Sequence, residues 1–132
     1  MRTYWDTSAL LDVILDIGNA SHSFRQTPER ITRCHTLAET FSQLTGGKLG
    51  FRMLPIHATL KIAELASAMT VLSLTPEQTL AALTETNRRG VRGGAIHDFL
   101  HVYAAEIHDC VQIVTGNLSD FQRLTTLKVI AP

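Results

Sequence analysis

Tyr4-Trp5-Asp6-Thr7-Ser8-Ala9-Leu10 changes its period at Asp6. Residues 2–5 read as a short strand ending at that aspartate. Over residues 8–17 the apolar positions Leu10, Leu11, Ile14 and Leu15 recur at helical spacing, until Gly18-Asn19 stops the helix. The alternation continues along the chain. A polar stretch over 21–33 contains Thr27-Pro28-Glu29, which reads as a helix start. A second strand is expected over 31–35 and a helix over 36–44, closed by Gly46-Gly47. Pro55 interrupts the next section, and 58–68 reads as a helix. Residues 70–74 read as a strand. Thr75-Pro76-Glu77-Gln78 then supplies a cap, a proline at the first helical position and the glutamine of a capping box, opening a helix to about Arg88. Gly93-Gly94 precedes a long helix to about His108. A strand over 111–115, a short helix after Ser119 and an edge strand over 127–131 complete the pattern. Such alternation predicts an α/β fold, a parallel sheet with helices on both faces, built as one domain over residues 1–132.

In such a sheet the carboxyl ends of the strands share one edge, and ligands bind in the crevice there. Asp6, Glu39, Asp98, Asn117 and Asp120 each fall where a strand ends or a helix begins. Taken singly, most have a structural reading. Asp6 suits a helix cap. Glu39, three residues after Thr36, suits a capping box. Asp120 suits the first turn of a helix, and Asn117 suits an Asx turn. Asp98 fits less easily. Ile96, Leu100, Tyr103, Ala104 and Ile107 form one apolar stripe of its helix, while Val102 and Ala105 share the side of Asp98. A carboxylate on a helix apolar on two faces needs a partner or a metal. Carboxylates brought together repel unless a cation neutralises them. Oxygen ligands without thiolates suit magnesium or manganese. The set reads as a hard-metal site acting on phosphodiesters.

The bulk composition is that of an ordinary globular protein, 45% hydrophobic and 18% charged over 132 residues. Zero net charge with neutral histidines argues against a broad electrostatic nucleic-acid surface. Two local basic groups stand out, Arg88, Arg89 and Arg92, and more loosely Arg25, Arg30 and Arg33. Arg88 and Arg89 also suit the cationic end of a helix. Cys34 and Cys110 lack metal-ligand spacing and fall in stretches expected to be strands, so buried free thiols are expected. There is no charged-then-apolar leader and no apolar run of membrane-spanning length, so a cytoplasmic protein is expected. His97 and His101 have the i, i+4 spacing of a zinc chelate, but no accompanying cysteine or second acid completes a zinc pattern. A solvated or partly packed helix flank explains them more simply, or His101 leans toward the Asp98 region, since residues three apart share a face.

The motifs together resemble the PIN-domain ribonucleases, particularly the VapC-type toxins of toxin–antitoxin pairs, over essentially the whole chain. Tyr4-Trp5-Asp6-Thr7-Ser8-Ala9-Leu10 resembles the opening D-x-S-A-L strand. Thr36-Leu37-Ala38-Glu39-Thr40-Phe41 resembles the second motif, with its acid early in a helix. The third, an aspartate-led helix, is matched by Asp98-Phe99-Leu100-His101-Val102-Tyr103-Ala104-Ala105. The fourth, a strand followed by T-x-N-x-x-D-F, is matched by Ile113-Val114-Thr115-Gly116-Asn117-Leu118-Ser119-Asp120-Phe121. The chain departs from many family members in having Asn117 where they carry aspartate.

The resemblance implies a three-layer α/β/α PIN-like fold with a short central parallel sheet of four to five strands. It implies a metal-dependent endoribonuclease, the toxin of a type II pair, with Asp6, Glu39, Asp98 and Asp120 as catalytic acids. Those acids and Asn117 would hold Mg2+ or Mn2+. Ser8 and Thr115 would hydrogen-bond the carboxylates or the attacking water, and Arg92 would steer an RNA phosphate. The implied partners are an RNA substrate, a cognate antitoxin and a second copy of the chain, with Leu60, Ile62, Leu65 and Ala66 as apolar candidates for the dimer face or the core. Trp5 and Phe51 are aromatics on offer for base stacking. An alternative is a catalytically weak PIN module that binds RNA or protein, which the uncharged Asn117 keeps open.

Overall fold

A computed structural model describes residues 1–132. In chain order the elements are β1 (Arg2–Trp5), α1 (Thr7–Ile14), α2 (Ala20–Gln26), β2 (Glu29–Arg33), α3 (Cys34–Thr45), α4 (Pro55–Ser67), β3 (Thr70–Leu72), α5 (Pro76–Arg89), α6 (Ala95–Ile107), β4 (Gln112–Val114), α7 (Leu118–Gln122) and β5 (Lys128–Ile130). The strands form one sheet in the order β3-β2-β1-β4-β5, and every neighbouring pair is parallel. Tyr4 lies beside Ile113 and Trp5 beside Val114 across the central pair.

Successive strand residues face opposite ways, and the core divides accordingly. Tyr4, Ile31 and Ile113 join Ala82 of α5, Phe99 and Val102 of α6 and Phe121 of α7 on one face. Trp5 and Val114 join Ala9 and Leu10 of α1, Phe24 of α2 and Leu65 of α4 on the other. A third cluster, with Leu44, Ala58 and Ile62, ties α3 to α4. The result is a three-layer α/β/α sandwich around a five-stranded parallel sheet.

Several local expectations change. Thr27-Pro28-Glu29 ends a helix instead of starting one. A proline disfavours helical geometry in the residue before it, and Thr27 is extended (φ −78°, ψ 120°) as the C-cap of α2. The helix α2 itself falls in the stretch read as polar, because only Ala20 and Phe24 bury. Pro55 opens α4 as its first residue and does not interrupt it. Strand β2 stops at Arg33 and α3 begins at once with Cys34, which is therefore exposed and helical. Cys110 is buried as expected, but in the turn before β4. The Thr75 capping box is present, with Thr75 Oγ1 accepting from Gln78 N at 3.1 Å and Gln78 Oε1 accepting from Thr75 N at 2.9 Å. The same helix ends on Gly90 at φ 67°, a left-handed geometry that favours glycine.

Strand order fixes where a ligand can enter. From β1 the chain moves outward to β2 and β3 and then returns to the far side of β1 as β4 and β5. The reversal falls between β1 and β4, and the crevice opens at the carboxyl ends of that pair. Asp6 follows β1 directly and Thr115 follows β4.

Candidate functional site

Asp6 is 3% exposed and caps α1, its Oδ1 accepting from Ala9 N at 2.9 Å. The same oxygen accepts from Ser8 Oγ at 2.8 Å, and Oδ2 accepts from Thr115 Oγ1 at 2.6 Å. Each hydroxyl is itself fixed from behind. Gly116 N donates to Ser8 Oγ at 2.8 Å, and Asn117 N donates to Thr115 Oγ1 at 3.0 Å. A Cβ on Gly116 would stand 3.3 Å from Ser8 Oγ, so the bare glycine permits this approach. Burial lifts the Asp6 carboxyl above its ordinary range. The hydrogen bonds from Thr115 and Ala9, the charge of His101 and the hydrogen bond from Ser8 counter part of that rise.

A cleft of about 590 Å³ opens beside Asp6 and is lined also by Ser8, His35, Glu39, Asp98, His101 and Asn117. Glu39 stands in the second turn of α3, because that helix starts at Cys34 and not at Thr36; the capping-box reading of Glu39 therefore falls. Its Oε1 is sealed from solvent without a well-aligned hydrogen bond, 3.1 Å from His101 Nε2 and 3.9 Å from a guanidinium nitrogen of Arg33. Burial pushes the Glu39 carboxyl up, but the imidazole of His101 and the charges of His35 and Arg33 outweigh it and leave it below its ordinary value.

Asp98, in the first turn of α6, shows the opposite balance. Burial raises it, His101 lowers it, and the charges of Asp6, Asp120 and Glu39 raise it further. These acids are close enough to feel one another. Even so, no three His, Cys, Asp or Glu side chains stand close enough together to hold a metal ion.

The remaining expected residues divide. Asn117 lines the same cleft as Asp6. Asp120 does not; it lies in an adjoining cleft with Asp98 and Arg123, and forms an ion pair with Arg123 at 3.1 Å. Arg92 is exposed in the loop before α6. Trp5 is fully buried, edge-on to Phe24, and so offers no face to a base; Phe51 remains 41% exposed. The two basic groups are largely committed. Arg88 pairs with Glu85 and Arg89 with Glu106, while Arg30 lies over the Phe24 ring.

Two residues of the site are only loosely marked by the sequence. His101 is 3% exposed at the base of the cleft and not on a solvated flank. Its spacing of three from Asp98 points it toward that acid, and the two line the same cleft. Arg33 is buried at the end of β2, and two of its guanidinium nitrogens lack hydrogen-bond partners. The sequence marks it only as a member of a loose basic group, with no sign of its burial.

No protein-family model matches the chain, and no curated protein matches it in sequence. Solved structures do match in fold. DNA-bound VapBC from Salmonella typhimurium is 19% identical with a TM-score of 0.74, over 98% of this chain and 96% of that one. VapBC2 from Rickettsia felis, bound to a promoter DNA fragment, is 17% identical with a TM-score of 0.71, over 98% and 97%. VapC20 from Mycobacterium tuberculosis, a sarcin–ricin loop cleaving toxin, is 16% identical with a TM-score of 0.65, over 84% and 86%. At these identities the shared property is the fold. The PIN-like architecture expected from the motifs is the architecture this chain has.

Proposed function

We propose that the chain is a metal-dependent endoribonuclease that hydrolyses RNA phosphodiester bonds, acting in the cytoplasm as the toxin of a toxin–antitoxin pair. One observation carries this reading. Asp6, Glu39 and Asp98, from separate parts of the chain, line a single cleft at the reversal point of the sheet. An acidic cleft repels an RNA phosphate unless a cation intervenes.

The residues present fit Mg2+ or Mn2+. The donor set is carboxylates, an amide and hydroxyls without a thiolate, and the mutual repulsion felt at Asp98 favours added positive charge. Asp6, Glu39 and Asp98 would hold the ion, with Asn117, and with Asp120 once released from Arg123. Because no three acids chelate directly as they stand, an ion here would keep several waters, as Mg2+ commonly does. When bound, the ion supplies charge stabilisation to the phosphoryl group.

The protein groups have their own tasks. Ser8 directs its proton to Asp6 and accepts from Gly116 N; Thr115 directs its proton to Asp6 and accepts from Asn117 N. Neither hydroxyl is free to serve as a nucleophile, so both position Asp6 and leave the attack to water. Arg92, on the loop leading into the Asp98 helix, steers an RNA phosphate. The VapBC likeness suggests an antitoxin as partner, and exposed apolar residues on α4, Ile56 and Leu60, support pairing with a second copy.

The test is cleavage of a mixed structured-RNA pool by Asp6→Asn and Asp98→Asn. Asparagine caps a helix about as well as aspartate, so Asp6→Asn should fold and yet lose cleavage by at least about 100-fold. Folded variants that still cleave would remove these acids from the mechanism. The second reading, a binding module of little activity, draws on the Asp120–Arg123 ion pair and on the uncharged Asn117. It would gain if folded wild-type protein bound RNA without cutting it.

A further inference from the structure

We infer that His101 is the positioning residue of the acidic cleft, fixing Glu39 from behind and fixed in turn by Tyr4. This rests on the metal-site reading above. His101 Nδ1 lies 2.8 Å from the Tyr4 hydroxyl, and Nε2 lies 3.1 Å from Glu39 Oε1. Tyr4 is fully buried in β1, and its ring meets the imidazole edge-on with centroids 5.7 Å apart. Phe121 covers the imidazole from another direction, at 6.3 Å. The imidazole is thus held by partners on α3, β1 and α7, and turning it would forfeit the contacts at both nitrogens.

The hydrogen positions follow from the partners. A phenol carries its proton at neutral pH, so the Tyr4 hydroxyl, 2.8 Å from Nδ1, can donate to it. If Nδ1 accepts, Nε2 bears the ring hydrogen and stands 3.1 Å from Glu39 Oε1, a close polar contact without hydrogen-bond alignment. A histidine that merely filled space would need no polar atom against this carboxylate. Glu39 Oε1 has no well-aligned partner of its own, and Arg33 approaches that same oxygen only at 3.9 Å. Commitment of Oε1 to the protein side leaves Oε2 as the oxygen available to an ion in the cleft. Groups that orient a ligand from behind are worth about 10–100-fold in metal affinity or activity.

The experiment compares full-length wild type with His101→Leu, His101→Gln and Tyr4→Phe. Mn2+ affinity is measured by calorimetry without RNA, and kcat and KM are measured separately for RNA cleavage. His101→Leu should weaken Mn2+ binding about 10–100-fold and lower kcat, with KM for RNA close to wild type. His101→Gln, whose amide N–H can stand in for Nε2–H, should recover much of the affinity, and Tyr4→Phe should fall between. Folded His101→Leu with wild-type affinity and kcat overturns the inference. If that variant does not fold, His101→Gln and Tyr4→Phe decide, and wild-type values in both overturn it. Failure of the wild type itself to bind Mn2+ would overturn the metal reading and this inference with it. Binding by wild type with unaltered variants would overturn the inference alone.

Discussion

Asp6 and Asp98 are both raised by burial, but Asp6 is offset by donors and Asp98 is pushed further by like charges. The sign of the Asp98 contribution to stability follows. Its folded value lies above its unfolded one, so the associated stability is present below the ordinary carboxylate range and is lost as pH rises through the folded value. Asp98→Asn should therefore melt higher than wild type at neutral pH without metal, by on the order of 1 kcal/mol or about 3 °C. The gain should vanish below the ordinary carboxylate range, where Asp98 is protonated in both states. Thermal melts across pH check this, and a variant less stable at neutral pH would contradict it. Glu39 has the opposite sign, its stability being lost as pH falls through its lowered folded value. At this scale the line-up of Asp6, Ser8 and Thr115 was legible, since all three adjoin strand ends. The burial of His101 and Arg33, and the contacts of His101 with Tyr4 and Glu39, were not, because they depend on partners far away in sequence.

Among the elements, α5 carries the clearest local signal and the structure reproduces it. Thr75→Ala removes the acceptor for Gln78 N and should cost about 1 kcal/mol, lowering the melting temperature by about 3 °C. RNA cleavage should not change, because α5 contributes no residue to the acidic cleft. A melt indistinguishable from wild type would show the box to be energetically idle. The contrast with α2 and β2 explains where sequence reading falls short. Pro28 marks a boundary in either direction, since proline both opens helices and unsettles the residue before it. Helix α2 has too short an apolar stripe for periodicity to detect. The start of α3 was misplaced because Arg33 and Cys34 carry no side-chain cap signal.

For the molecule as a whole, alternation foretold a parallel sheet between helical layers, but strand order is set by tertiary packing and was not legible. That order creates the crevice between β1 and β4 and gives the distant acids a common location. The surface divides the apolar residues first grouped for dimerisation. Ile62 and Leu65 turn inward at 8% exposure each, while Leu60 is 61% exposed and Ile56 62%. Burying such side chains stabilises an interface by roughly 1.5–3 kcal/mol apiece when fully covered. Leu60→Glu should therefore shift a dimer toward monomer in sedimentation equilibrium, with an unchanged circular dichroism spectrum. An unaltered association constant would remove this face from the interface.

The central claim is that the acidic cleft cleaves RNA only with a divalent cation. The most direct measurement is cleavage of structured RNA by the purified protein with Mg2+, with Mn2+ and with a chelator, beside Asp98→Asn. The account predicts cleavage that requires the ion, stops with the chelator and is absent from the variant under every condition. Cleavage that persists in the chelator, or that Asp98→Asn retains, would contradict it.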